Sequence, residues 1–152
     1  MIIYLDTNVF GRPFDDRSYS RIDIEAQASL AILAMIKEKQ MKCLCSDILR
    51  LEVAQTPMPK RMRIQSLVAL CSTCISETDV IKKMALNIYR KIKVEPRDAL
   101  HIASACLGKA EYFITCDNGI IRKANKIEKD LKGLGYNIKI CGILDFIEEV
   151  KE

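Results

Sequence analysis

The sequence predicts an α/β fold built on a central parallel sheet. Short apolar runs that do not alternate with polar residues, led by Ile2-Ile3-Tyr4-Leu5, read as strands buried on both faces. Longer stretches with apolar residues at helical spacing separate these runs. Strands separated by helices are joined by right-handed crossovers, which leave neighbouring strands parallel.

Composition narrows the class. The chain has 152 residues, enough for a single domain over 1–152 with a sizeable core and few for two. Apolar residues make up 49%, which excludes a disordered chain. No apolar run approaches the roughly 20 residues of a membrane span. The first residues are strand-like and carry Asp6, unlike a signal peptide, so a cytoplasmic protein is expected. Seven cysteines (Cys43, Cys45, Cys71, Cys74, Cys106, Cys116 and Cys141) fall mostly in apolar stretches and read as small buried hydrophobes in a reducing compartment. Cys71 and Cys74 form a lone C-x-x-C, and the only histidine, His101, is distant in sequence, so zinc is weakly supported. A net charge of +4 is compatible with a phosphate-rich partner without establishing one.

The elements follow in order. After the first strand, residues 11–19 are polar and turn-rich and read as a loop. Ser20 and Asp23 form a helix-start signal, and Ile22, Ala26, Leu30, Leu33 and Ile36 keep helical spacing behind it. Residues 42–45 make a second strand, and Ser46-Asp47 caps a helix carrying Ile48, Leu49, Glu52 and Val53. Pro57 and Pro59 end that helix. A helix over 60–71, a minor strand at 74–76 and an amphipathic helix through Val80, Ile81, Met84, Ala85 and Ile88 come next. Pro96 opens another helix and Gly108 stops it. Tyr112–Thr115 is a strand ending in a turn at Cys116-Asp117-Asn118-Gly119. A basic helix over 122–132, a strand at 138–141 and a helix over 143–150 complete the chain.

Candidate chemistry sits in the carboxylates. Asp6 and Asp117 each close a buried strand, so in a parallel sheet both lie on the carboxyl edge, where ligands bind. Asp98 falls in the first turn of its helix, which favours a carboxylate. Glu52 follows the second strand by one to two helical turns. Four carboxylates in one cleft repel each other unless some protonate or divalent cations neutralise them. Oxygen-only ligands suit Mg²⁺ or Mn²⁺, which activate water against phosphodiesters. Asn8 reads equally as a turn cap and as a polar support for the site, and Thr115 leans towards support. His101, one turn beyond Asp98, reads first as a packed or dimer-contact residue and second as a general base. Basic groups around Lys60-Arg61-Arg63, Arg90-Lys91-Lys93 and Arg122-Lys123-Lys126 read as solvated faces singly; together they suit an RNA backbone.

The ordered set Leu5-Asp6-Thr7-Asn8-Val9, Ser46-Asp47-Ile48-Leu49-Arg50-Leu51-Glu52, Pro96-Arg97-Asp98-Ala99-Leu100-His101-Ile102-Ala103 and Phe113-Ile114-Thr115-Cys116-Asp117 resembles the PIN-domain nucleases, closest to the toxin-type (VapC-like) ribonucleases of toxin–antitoxin pairs. The resemblance covers nearly the whole chain and implies a three-layer α/β/α domain. It implies RNA hydrolysis with Mg²⁺ or Mn²⁺ at Asp6, Glu52, Asp98 and Asp117, with Asn8 and Thr115 as supporting groups. It also implies a homodimer and an antitoxin partner. Many relatives carry a second acidic residue just after the fourth motif; here Asn118 follows Asp117, which leaves one or two metals open. Two rivals remain. An aspartyl-phosphate enzyme with Asp6 as nucleophile lacks its Asp-x-Asp motif, because Asn8 stands in that place. A non-catalytic RNA- or partner-binding module on the same fold is the alternative to the enzyme.

Overall fold

The computed structural model describes residues 1–151. Its strands are β1 (Ile2–Leu5), β2 (Lys42–Ser46), β3 (Thr73–Ile75), β4 (Tyr112–Thr115) and β5 (Lys139–Gly142). They form one parallel sheet in the order β3-β2-β1-β4-β5. The first strand in sequence is therefore the middle one in space. Ile3 pairs with Cys43 on one side and with Tyr112 on the other.

Helices α1 (Thr7–Gly11), α2 (Ser20–Lys37), α3 (Asp47–Ala54), α4 (Lys60–Val68), α5 (Asp79–Ile92), α6 (Pro96–Leu107), α7 (Asn118–Arg122), α8 (Ala124–Gly133) and α9 (Ile143–Lys151) connect the strands. Alternation along the strands sorts the helices into two layers. Tyr4, Leu44, Phe113 and Ile140 point to one face, where Ile81, Met84 and Ile88 of α5, Ile102 of α6, and Ile127 and Leu131 of α8 cover them. Ile3, Leu5, Cys43, Cys45, Ile114 and Cys141 point to the other, under Val9 and Phe10 of α1, Ile32, Leu33 and Ile36 of α2, Leu49 of α3 and Phe146 of α9. Burial on both faces explains why the strands read as unbroken apolar runs. The architecture is the α/β/α sandwich expected.

Local chemistry sets the helix ends. Ser46 caps α3 by accepting the Leu49 N–H at 3.2 Å, and Thr78 caps α5 by accepting that of Ile81 at 3.4 Å. Gly108 ends α6 where the chain runs against β2: a Cβ there would stand 2.4 Å from Leu44 Cδ1. Five cysteines are buried, Cys71 is half-buried and Cys74 exposed, and all seven thiols are free. No helix is long and apolar enough to cross a membrane among the described residues.

Several expectations change. The loop expected over residues 11–19 is shorter, because α1 runs to Gly11 and a 3-10 turn spans Arg12–Phe14. Asp6 starts α1 by accepting the Thr7 N–H, and burial of Val9 and Phe10 holds the turn in place. Ser20 is the first residue of α2 rather than its cap, with Tyr19 in the cap position and no side-chain cap bond. Leu30, placed on the buried stripe of that helix, is 43% exposed, and Ser29 and Ile32 face inward instead. The helix expected over 60–71 ends at Val68. The turn after β4 winds directly into α7, because Asp117 accepts the N–H groups of Gly119 and Ile120 at 2.7 and 3.3 Å.

Candidate active site

Strand order reverses direction about β1, so a crevice opens at the carboxyl ends of β1 and β4. Asp6 sits in it, 4% exposed. Its backbone N–H donates to Ile114 O at 3.0 Å, which ties the end of β1 to β4. A buried carboxylate needs compensating donors. Asp6 has three: the Thr7 N–H at 2.8 Å, the Thr115 hydroxyl at 2.8 Å and the Asn8 amide at 3.2 Å. Burial still raises the Asp6 pKa, and the Glu52 charge adds to that, against the pull of His101 and of these donors. Asn8 also accepts the Cys116 N–H at 3.0 Å, and Thr115 accepts that of Asp117 at 3.0 Å. These two residues therefore lock the turn after β1 to the turn after β4.

Glu52 reaches the same point from α3. Its Oε1 accepts the Thr7 hydroxyl at 2.6 Å and lies 2.5 Å from His101 Nε2. His101 Nε2 is 3.7 Å from Asp6 Oδ1. One ligand atom each from Asp6, Glu52 and His101 lie within 4.8 Å of one another. Burial raises the Glu52 pKa, but the bonds from His101 and Thr7 outweigh it and leave the carboxyl below its usual range. Burial lowers the His101 pKa, but Glu52 and Asp6 outweigh it and carry the imidazole above its usual value.

Asp98 and Asp117 stand outside that tight group. Asp98 lies on the divide between two cavities. One, of about 220 Å³, is lined by Lys93, Glu95, Asp98, Asp117, Ile120 and Lys123. The other, of about 490 Å³, is lined by Asp6, Glu52, Gln55, Lys60, Arg97 and Asp98 among others. Burial, then the charges of Asp6 and Asp117, push the Asp98 pKa to about 7. Asp98 therefore feels both Asp6 and Asp117 across the divide. Hard oxygen donors that repel one another in this way suit a divalent cation such as Mg²⁺ or Mn²⁺.

All four acidic residues singled out in the sequence meet around this edge, with Asn8 and Thr115 directly behind Asp6. Of the two readings placed first for His101, packed residue or dimer contact, the structure bears out the packed one: it is fully buried, and it is packed against the carboxylates. Its position one helical turn after Asp98 was the available signal. The sequence reading passed over two residues behind it: Tyr4, read as a strand residue, bonds to the far side of His101, and Ser46, read as a cap, bonds to Tyr4. Lys93 and Lys123 line the smaller cavity, where Lys123 Nζ donates to Lys93 O at 2.9 Å.

The sequence pattern of the PIN domain matches residues 3–126. Among solved structures, one chain in the crystal structure of VapBC2 from Rickettsia felis bound to a DNA fragment from their promoter superposes with a TM-score of 0.63. That alignment covers 93% of this chain and 98% of the other at 12% identity, a likeness of fold. No curated protein matches. The pattern match spans every residue of the acidic edge, from Asp6 to Asp117, and the chain belongs to the PIN-domain family.

Proposed function

We propose that this PIN-domain protein is a Mg²⁺- or Mn²⁺-dependent ribonuclease. The reading rests above all on the convergence of Asp6, Glu52, Asp98 and Asp117 on the crevice, where burial and the charges of Asp6 and Asp117 push the Asp98 pKa to about 7. Asp6, Asp98 and Asp117 would hold the cation, and Glu52 would complete the site or orient the attacking water. Bound there, a divalent cation supplies Lewis-acid chemistry for phosphodiester hydrolysis. The other groups position the substrate. Lys93 and Lys123 line one side of the acidic divide and Lys60 and Arg97 the other, so a phosphate backbone crossing Asp98 meets cations on both sides. Thr115 and Asn8 hold Asp6 at the end of β1 while the cation site fills.

We infer further that the protein acts in the cytoplasm as the toxin of a toxin–antitoxin pair, as a homodimer silenced by an antitoxin protein. Family membership and the fold shared with a chain of the VapBC2 assembly support that assignment.

The test is cleavage of a mixed pool of structured and single-stranded RNAs with Mg²⁺, with Mn²⁺ and with chelator, comparing the native chain with Asp6→Asn. Metal-dependent cleavage that disappears in a folded Asp6→Asn variant is expected. Equal turnover by the variant overturns the assignment. A folded native protein that neither binds metal nor cleaves supports a non-catalytic binding module on this fold.

A further inference from the structure

Behind Glu52 runs a buried chain of hydrogen bonds that the metal chemistry does not use. Leu49 N–H meets Ser46 Oγ at 3.2 Å, Ser46 Oγ lies 2.6 Å from Tyr4 OH, and Tyr4 OH lies 2.6 Å from His101 Nδ1. His101 Nε2 then reaches Glu52 Oε1 at 2.5 Å. Ser46, Tyr4 and His101 are each 0% exposed, so water cannot substitute for any link. The five residues come from β1, the end of β2, α3 and α6.

The chain has a direction, set at its far end. A backbone N–H can only donate, so Leu49 gives its proton to Ser46 Oγ. The Ser46 hydroxyl is then free to donate to Tyr4, and Tyr4 to donate to His101 Nδ1. An imidazole that accepts at Nδ1 carries its proton at Nε2, which points at Glu52 Oε1. Reversing the chain would leave the buried Ser46 hydroxyl proton without an acceptor among the described residues, a loss of the kind native interiors avoid. Thr7 donates to the same Glu52 oxygen at 2.6 Å. With two donors on Oε1, the other oxygen is what Glu52 offers the cleft; the cation that faces it is Arg97 at 3.9 Å.

We propose that Ser46, Tyr4 and His101 form a unidirectional relay that fixes His101 as a positioning residue, clamping Glu52 Oε1 and aiming Oε2 at the water or cation in the cleft. This role rests on the nuclease reading; the geometry of the relay does not. Tyr4 touches no substrate, and its OH acts on the reaction only through His101 and Glu52. Tyr4→Phe keeps the ring that stacks on Phe113 at 5.5 Å and deletes the hydroxyl with its two links, to Ser46 and to His101.

Two measurements test the proposal. His101 is the only histidine, so its ring nitrogens give unambiguous ¹⁵N resonances in the native protein. A protonated Nε2 and a bare Nδ1 are expected at pH 8.5; a proton on Nδ1, alone or with Nε2, overturns the relay's direction. This experiment does not depend on activity, so it separates failure of the relay from failure of the nuclease reading. In the second, Tyr4→Phe should lower kcat for RNA cleavage about 10- to 100-fold with KM unchanged, the usual effect of removing a partner behind a site ligand. On a Glu52→Gln background the same substitution should cost nothing further, because Tyr4 acts only through Glu52. Unchanged kcat in a folded Tyr4→Phe protein, or an equal loss on the Glu52→Gln background, overturns the positioning role.

Discussion

Asp98 is the residue at which the fold stores electrostatic tension. An unfolded aspartate titrates near 3.9, whereas burial and the facing Asp6 and Asp117 hold Asp98 at about 7. Between those values the folded chain binds more protons than the unfolded one, so stability falls as pH rises from about 4 to about 7. Asp6 and His101, both raised, contribute with the same sign as pH climbs through their folded values; Glu52, lowered, contributes oppositely and only below its ordinary range. In the absence of metal, the thermal midpoint should decline between pH 5 and pH 8, and Asp98→Asn should flatten that decline. Added Mg²⁺ should raise the midpoint more at pH 8 than at pH 5, because protons compete for the same oxygens. A midpoint that climbs across this range in metal-free protein would contradict the repulsion. The placement of Asp6, Asp98 and Asp117 at one edge was legible from residue types at strand ends and a first helical turn. The role of Tyr4 was not: inside an apolar run its ring is indistinguishable from any core aromatic, and only the demand of a buried hydroxyl for a partner hints at more.

At the level of elements, helix ends carry the testable detail. Lys93 closes α5 in the left-handed conformation, φ 63°, which costs a non-glycine residue about 1 kcal/mol. Lys93→Gly should therefore gain about 1 kcal/mol in urea unfolding while weakening RNA binding through loss of the cation beside Asp98 and Asp117. Gly108 is the converse case. Gly108→Ala pushes a methyl into Leu44 and should cost about 1–3 kcal/mol, with little change in metal affinity because Gly108 closes the end of α6 opposite Asp98. The strands and the long helices were readable from apolar spacing alone, and Pro96, Ser46 and Gly108 marked ends where they stood. The short helices α1 and α7 escaped because five residues give no helical period to detect. Each exists because an aspartate caps it and an apolar residue behind the cap is buried, and burial is a tertiary fact.

Across the whole molecule the placement of the charges says more than their sum. A net charge of +4 says little, but lysines and Arg97 line the two cavities that flank the acidic divide. Each phosphate contact adds about 0.7 to the slope of log affinity against log salt for single strands. Lys123→Ala should therefore reduce the salt dependence of RNA binding to a catalytically silent Asp6→Asn protein by about one contact. An unchanged slope would place the RNA path elsewhere.

The placement of β1 at the centre of the sheet has a consequence for synthesis. Asp6 is made before its hydroxyl partner, Thr115, which lies 109 residues later. Closing so long a loop is slow and comes late among the contacts of a small domain. Ile2–Leu5 can find β2 early, but its other edge must wait for β4, and Asp117 arrives just behind it. A nascent or prematurely terminated chain lacking β4 therefore holds Asp6 without the groups that orient it. If the protein is the nuclease proposed, the emerging polypeptide gains that activity only once β4 and Asp117 have been made.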